Sequence, residues 1–231
     1  MSELTPDPPP LPAPAREALT ALVELVATDP LAPTSVRDRE RAWDVHIADS
    51  LSARGLPELE RADRVCDIGS GAGFPGLALA AVLPATQFVL VDSSGRKCEF
   101  IARAAAAAGL ENVTVVADRA EIYAAAAPGA FDVVTARAVG RLSAVAELAS
   151  PLLRRGGALI AYEGRRDPDQ EAEIARAAAQ LAMTPERITP VRPYSTSENR
   201  HLHLIRKSGP TPDGLPRRPG LANRRPLGRK K

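Results

Sequence analysis

The sequence predicts a doubly wound α/β fold: a mostly parallel sheet with an antiparallel last strand, preceded by helices. Three observations predict it. Val65-Cys66-Asp67-Ile68 is a short apolar run that stops in a Gly-rich turn and leads into a helical pattern. Strand-like and helix-like stretches alternate five times from there, which implies a parallel sheet with helices on both faces. The last two strand-like stretches have no helix between them, so they pair antiparallel. The 231 residues suffice for one such domain with appendages.

Residues 1–14 carry six prolines and no apolar periodicity, the signature of a disordered extension. Residues 15–62 read as an N-terminal helical subregion. Leu19, Leu22, Val23 and Val26 recur at helical spacing and define a helix over 15–27. Pro30 and Pro33 put a loop between Thr28 and Thr34. A second helix runs over about 39–54, with Trp43, Ile47 and Leu51 in one stripe and His46, Asp49 and Ser50 on the adjacent face. Trp43 reads as core. His46 and Asp49 read first as residues that fix this helix on the body, and second as substrate contacts.

The main domain spans 63–207. Its strands are 64–68, 87–92, 113–117, 131–136 and 158–162, with helices near 75–83, 94–108, 119–126, 141–153 and 167–181. Strands near 186–192 and 201–206 complete it. Residues 208–231 read as a basic disordered tail. No apolar run approaches the ~20 residues of a membrane span, and the N-terminus lacks a basic-then-apolar signal, so a cytoplasmic protein is expected. Cys66 and Cys98 have no metal or redox spacing, and no metal is expected.

The Gly-rich turn carries the chemistry. Gly69, Gly71 and Gly73 allow positive φ and a close backbone approach by a ligand, and Pro75 suits the first helical position. Gly71-x-Gly73-x-x-Gly76 matches a dinucleotide fingerprint literally, but two residues separate Gly71 from the strand end, where that turn begins. Asp67-x-Gly69-x-Gly71-x-Gly73 instead sets a carboxylate at the strand end. A carboxylate there would repel a pyrophosphate and favour a cationic ligand with an ammonium and a sulfonium. The pattern resembles the first motif of S-adenosylmethionine-dependent methyltransferases.

In a doubly wound sheet the ligand sits at the carboxyl ends of the strands. Asp67, Asp92, Asp118 and Arg137 fall there. Asp92, 23 residues beyond Gly69, is spaced to accept from ribose hydroxyls. Asp118 is equally readable as a helix cap, and Arg119-Ala120-Glu121 follows near the expected adenine edge. Arg137 ends an apolar strand where a second substrate would meet the cofactor, and its planar fork suits a phosphate or a base.

Charge is unevenly distributed. The chain has a net charge of +2, but residues 208–231 hold seven Lys or Arg against the single acid Asp213, so +6 on the tail leaves −4 on the rest. Such a tail suggests a polyanionic partner. Aromatics are only 3% of the residues, too few for a base-stacking platform.

Several stretches together resemble the small-subunit ribosomal RNA guanine-N7 methyltransferase G family, also called the glucose-inhibited division protein B family. They are Ser35-Val36-Arg37-Asp38, His46-Ile47-Ala48-Asp49-Ser50-Leu51, Asp67 through Gly76, Arg119-Ala120-Glu121, Ala136-Arg137-Ala138 and Arg200-His201-Leu202. The similarity covers about 35–207. It implies a Rossmann-like class I methyltransferase sheet and methyl transfer from S-adenosylmethionine to N7 of one guanine in 16S rRNA by a monomer. It also implies a cofactor site of Asp67, Gly69, Gly71, Gly73, Phe74, Asp92, Ala120, Glu121 and Arg137. Arg137 would position the guanine or its phosphate, with no general base. Arg37, His46, Arg165 and Arg200, with Arg217, Arg218, Arg224 and Arg225 of the tail, are the expected RNA contacts. The family usually has Lys-Gly after the fifth strand; this chain has Glu163-Gly164, with Arg165 or Arg166 as candidate replacements for the charge. The residues alone leave open a methyltransferase for another substrate, a methyltransferase-fold RNA-binding protein with reduced or altered activity, and a dinucleotide-dependent oxidoreductase.

Overall fold

A computed structural model describes residues 10–229. Most of the predicted N-terminal extension therefore lies outside the described residues. Seven strands form one sheet in the order β3-β2-β1-β4-β5-β7-β6. The strands are β1 (Arg64–Ile68), β2 (Gln87–Asp92), β3 (Val113–Ala117), β4 (Phe131–Arg137), β5 (Leu153–Glu163), β6 (Met183–Val191) and β7 (Arg200–Lys207). The first five pair in parallel, and β7 runs antiparallel to both β5 and β6. The strand order reverses at β1, whose two neighbours are β2 and β4, so a crevice opens above its carboxyl end.

Strand alternation divides the core in two. Val65, Phe88, Leu90 and Val133 face α1 (Ala13–Thr28), α5 (Gly76–Val82) and α6 (Gly95–Ala107). Cys66, Ile68, Val89 and Val134 face α7 (Ala120–Ala126), α8 (Leu142–Ala149) and α9 (Pro168–Leu181). The buried strands read as apolar runs because both faces are covered. Cys66 is fully buried, and burial pushes its thiol well above the ordinary range, which suits a core residue.

Three segments depart from the sequence expectations. The second helix is not one regular α-helix. It comprises α2 (Arg39–Ala42), a π-helical turn over Trp43–Ala48 and α3 (Asp49–Leu51), and α4 (Pro57–Glu60) follows. π-turns recur at functional sites. Helix α8 ends at Ala149, before Pro151, because a proline lacks the N–H a helix needs and disfavours helical geometry in the residue before it. Strand β5 then starts at Leu153, its register with β4 shifts between Phe131 and Val133, and a Cβ on Gly157 would meet the Asp132 carbonyl oxygen at 2.8 Å.

The third departure is the tail, which is folded through residue 229. It carries α10 (Leu221–Arg224) and buries Ala222 and Pro226. Ala222 joins the core between α7, α8 and α9, and apolar burial of this kind opposes disorder. Lys230 and Lys231 lie outside the described residues. Among the described residues no helix is long and apolar enough to cross a membrane.

Candidate functional site

The Gly-rich turn leaves β1 at Ile68 and is tied to the end of β2. The N–H groups of Gly69 and Ser70 donate to the Val91 carbonyl at 2.8 and 3.2 Å. The N–H of Gly71 donates to Asp92 Oδ2 at 2.9 Å, while the N–H of Ser94 donates to Asp92 Oδ1, also at 2.9 Å. Asp92 thus ties the turn to the start of α6, and Lys97 Nζ lies 3.6 Å from its Oδ2. Two glycines are demanded by packing as well as by φ. A Cβ on Gly69 would meet Val139 Cγ2 at 2.8 Å, and one on Gly73 would meet Leu77 Cδ1 at 2.3 Å. Over Gly71 the nearest atom to such a Cβ is a backbone oxygen at 3.9 Å, so a ligand can approach the chain there.

Asp67 does not face a ligand, contrary to the sequence expectation. It is fully buried, and Thr135 Oγ1 donates to its Oδ1 at 2.8 Å while the Gly76 N–H donates to its Oδ2 at 3.2 Å. Burial pushes its pKa up to about 6, against the pull of Thr135, Ser70, Gly76 and the charge of Arg137. Its part is to hold the turn closed on the start of α5.

Glu121, in the first turn of α7, is also buried. Its Oε1 accepts from the Gly220 N–H at 2.7 Å and from Arg119 Nη2 at 3.4 Å. Burial raises its pKa, but these donors outweigh it and leave the carboxyl below the ordinary value. Ala120 packs beside it on the apolar cluster.

On the other side of Arg137 a second group of residues converges. The π-turn and α3 bring His46, Asp49 and Ser50 to the end of β4, and the Tyr162 hydroxyl donates to the Ser50 carbonyl at 2.7 Å. Arg137 Nη1 donates to Asp49 Oδ2 at 2.7 Å and to the Val45 carbonyl at 3.0 Å. Arg200 Nε lies 3.3 Å from the other Asp49 oxygen. Among the described residues Nε and Nη2 of Arg137 have no hydrogen-bond partner, which leaves one edge of the guanidinium to a ligand. His46 stacks on Phe74 with ring centroids 4.8 Å apart and 14° between planes. Burial, with the nearby charge of Arg137, lowers its pKa to about 4, so the ring is neutral at physiological pH. Its Nε2 pairs with Thr34 Oγ1 at 3.2 Å, and its Nδ1 is buried without a partner among the described residues.

These side chains line a cavity of about 470 Å³ that includes His46, Asp49, Arg137, Tyr162, Glu163 and Arg200. That volume lies in the usual range for ligand sites, and the lining mixes apolar surface from Val45, Val191 and Leu202 with the charged groups of Arg137, Arg200, Asp49 and Glu163. A larger surface cavity of about 980 Å³, between α1, α5 and the end of α6, has no basic residue in its lining and lies away from this chemistry.

The structure therefore brings together Gly71, Phe74, Asp92, Arg137, His46 and Arg200 around the carboxyl ends of β1, β2 and β4. Other expected contacts lie elsewhere. Arg37, although exposed, donates to the carbonyls of Val26, Asp29 and Ala32 at 3.0, 2.6 and 3.1 Å and so closes the end of α1. Arg217 is committed to Glu147 on α8. Arg166 is held by Glu171 at 2.7 Å, which leaves Arg165, exposed and without an ion-pair partner among the described residues, as the available charge beside Glu163. Burial, with Asp167 nearby, pushes Glu163 up to about 6. Asp49 is the functional residue whose role the sequence reading left open. Its signal was the spacing of His46, Asp49 and Ser50 on one helix face. Among the described residues no acid, histidine and cysteine cluster could hold a metal.

Comparison with known proteins gives consistent results. Residues 19–202 match the family described as "rRNA small subunit methyltransferase G". A ribosomal RNA small subunit methyltransferase G from Limosilactobacillus reuteri is 36% identical over 199 residues, covering 84% of this chain and 83% of that protein. One from Deinococcus deserti is 40% identical over 187 residues, covering 79% and 75%. Among solved structures, the Methanococcus jannaschii fibrillarin pre-rRNA processing protein aligns with a TM-score of 0.55 at 15% identity, over 70% of this chain and 74% of that one. A SAM-dependent methyltransferase from Aquifex aeolicus aligns with a TM-score of 0.53 at 13% identity, over 80% and 97%. At these identities the structural likenesses bear on the fold alone, and the fold they share is that of class I methyltransferases.

Proposed function

The chain belongs to the rRNA small subunit methyltransferase G family and is a small-subunit rRNA methyltransferase, and we propose that it transfers a methyl group from S-adenosylmethionine to N7 of one guanine in 16S rRNA. The observation that carries the reading is the Arg137 guanidinium, clamped by Asp49 at the switch point of the sheet with one edge free. On this reading the protein works as a monomer in the cytoplasm.

The residues present suit the cofactor. The open approach over Gly71 admits an extended ligand backbone. Asp92 Oδ1 and Oδ2 each accept one protein N–H and keep lone pairs for ribose hydroxyls. Gly69 and Gly73 shape the turn, Phe74 walls it, and Ala120 and Glu121 stand where the adenine edge would lie. Asp67 acts on this site indirectly, through the turn it closes.

When bound, S-adenosylmethionine supplies an electrophilic methyl group on a sulfonium, and a guanine N7 lone pair takes it in line. No proton has to leave N7 first, so the protein needs no general base. A neutral His46 agrees with that requirement. The protein's work is alignment, and alignment alone can contribute several kcal/mol, up to roughly 7–11 in well-oriented cases. The free edge of Arg137 suits guanine O6 or a flanking phosphate, and Arg200 and Arg165 suit the RNA backbone.

Methyl transfer from labelled S-adenosylmethionine to small subunits isolated from cells lacking this protein tests the proposal. Label in 16S rRNA is expected. Label only in ribosomal protein, or none, would refute it.

A further inference from the structure

The tail was expected to be a flexible basic segment, yet it is bound to the body at four points. Lys207 Nζ, at the end of β7, donates to Thr211 Oγ1 of the tail at 3.1 Å. Arg217 Nε donates to Glu147 Oε1 at 2.6 Å, and Glu147 is 1% exposed. The Gly220 N–H meets Glu121, and Arg176 Nε donates to the Gly228 carbonyl at 2.7 Å. The chain also lies over the loop that follows Arg137. A Cβ on Gly140 would meet Asn223 Oδ1 at 2.4 Å, and the preceding residue, Val139, packs on Gly69.

Only one of the arginines in the turn around α10 is neutralised. Arg217 is paired with Glu147. Arg218, Arg224 and Arg225 are exposed and have no acid partner among the described residues. Arg119, with a side chain 46% exposed, adjoins them beside Gly220. A buried anchor therefore fixes three unpaired guanidinium groups next to Glu121 and the Arg137 loop. Arginine suits phosphate through a planar fork, and unpaired arginine next to a site for a nucleic acid is an electrostatic footprint.

We propose that the folded segment 214–229 is a docking surface for the RNA phosphate backbone, held in fixed register with the methyl-transfer site by the Arg217–Glu147 and Gly220–Glu121 contacts. This rests on the reading of the chain as an rRNA methyltransferase. It goes beyond that reading by giving the tail a rigid position, where a loose tail would offer only diffuse attraction.

The test uses the full chain and small subunits lacking the modification, with binding measured across a salt series. Arg218→Gln, Arg224→Gln and Arg225→Gln combined should reduce the slope of log K against log salt by about 2, since each phosphate contact contributes roughly 0.7–0.9. Cofactor affinity and thermal midpoint should stay at parental values. A parental slope in the triple variant overturns the proposal and leaves an acidic protein as the candidate for this surface.

Glu147→Gln separates a fixed surface from a loose tail. It makes the protein more basic, so diffuse attraction predicts tighter binding. Release of the anchor predicts weaker binding by several-fold, with faster hydrogen exchange confined to 214–229. Unchanged or tighter binding overturns the fixed register. Failure of the parent protein to methylate these subunits would instead refute the functional reading, which distinguishes the two.

Discussion

Arg137 and Asp49 are separated by 88 residues in the chain and joined by a 2.7 Å ion pair at the end of β4. Asp49 also receives Arg200 from β7, so one buried carboxylate sets the direction of two guanidinium groups. Arg137→Ala should lower turnover by about two to three orders of magnitude, the loss expected when a positioned donor is removed. Cofactor affinity should change less. Arg137→Lys should remain poor, because a point charge replaces a fork. Single-turnover kinetics with cofactor titration checks both, and parental rates would remove Arg137 from the site.

Asp49→Ala leaves Arg137 and Arg200 facing each other without their shared acid. Breaking a buried pair from one side costs roughly 3 kcal/mol. Denaturant unfolding should show that loss, and turnover should fall even at temperatures where the variant is folded. Asp49→Asn should lie between the variant and the parent.

The glycines of the turn should respond unequally. Gly73→Ala combines a φ of +92° with a Cβ placed 2.3 Å from Leu77, and should cost about 2–3 kcal/mol. Gly71→Ala, at φ +62° with open space around it, should cost about 1 kcal/mol in stability. Its larger effect should be on cofactor affinity, because the added methyl occupies the approach. Thermal melts with and without S-adenosylmethionine separate the two.

His46 should titrate near pH 4, not near the ordinary 6.5. Its folded pKa is depressed, so the folded state binds fewer protons than the unfolded chain between those values. Its contribution to stability is complete above 6.5 and is lost as pH falls toward 4. Asp67, raised from 3.8 to about 6, acts in the opposite sense: its contribution is complete below 3.8 and is lost as pH rises through 6. Proton resonances of the His46 ring give the first value directly. The rate of methyl transfer should not follow a His46 ionisation between about pH 6 and 8, because the ring is already neutral there.

Arg37→Ala should destabilise the protein by about 1–3 kcal/mol, because three carbonyls near the end of α1 lose their donor. The salt dependence of RNA binding should be unchanged. A lower slope with parental stability would restore Arg37 as an RNA contact.

Much of this molecule could be read from residue pattern. Val65–Ile68, the glycines after it and the repeated apolar runs specify strands, turn and sheet because both faces of those strands are covered. Arg137 and Asp92 were legible as strand-end residues for the same reason. For Asp67, position alone does not tell whether a strand-end carboxylate faces the crevice or the protein. Thr135, 68 residues away in the chain, and the Gly76 N–H decide it. The π-turn around His46 has no local code, and the shared role of Asp49 depends on two strands that follow it by more than 80 residues. The tail looked disordered because its basic residues dominate its composition. A signal was present in α8, where Glu147 is the only charged residue in an otherwise apolar and hydroxyl helix. A buried acid of that kind requires a cation, and Arg217 supplies it.

Methyl transfer to 16S rRNA is read out by mapping N7-methylguanine through borohydride reduction and aniline cleavage, in cells with the protein, without it, and with Arg137→Ala. One cleavage site is expected that appears only with the active protein. An identical cleavage pattern in all three would contradict the account.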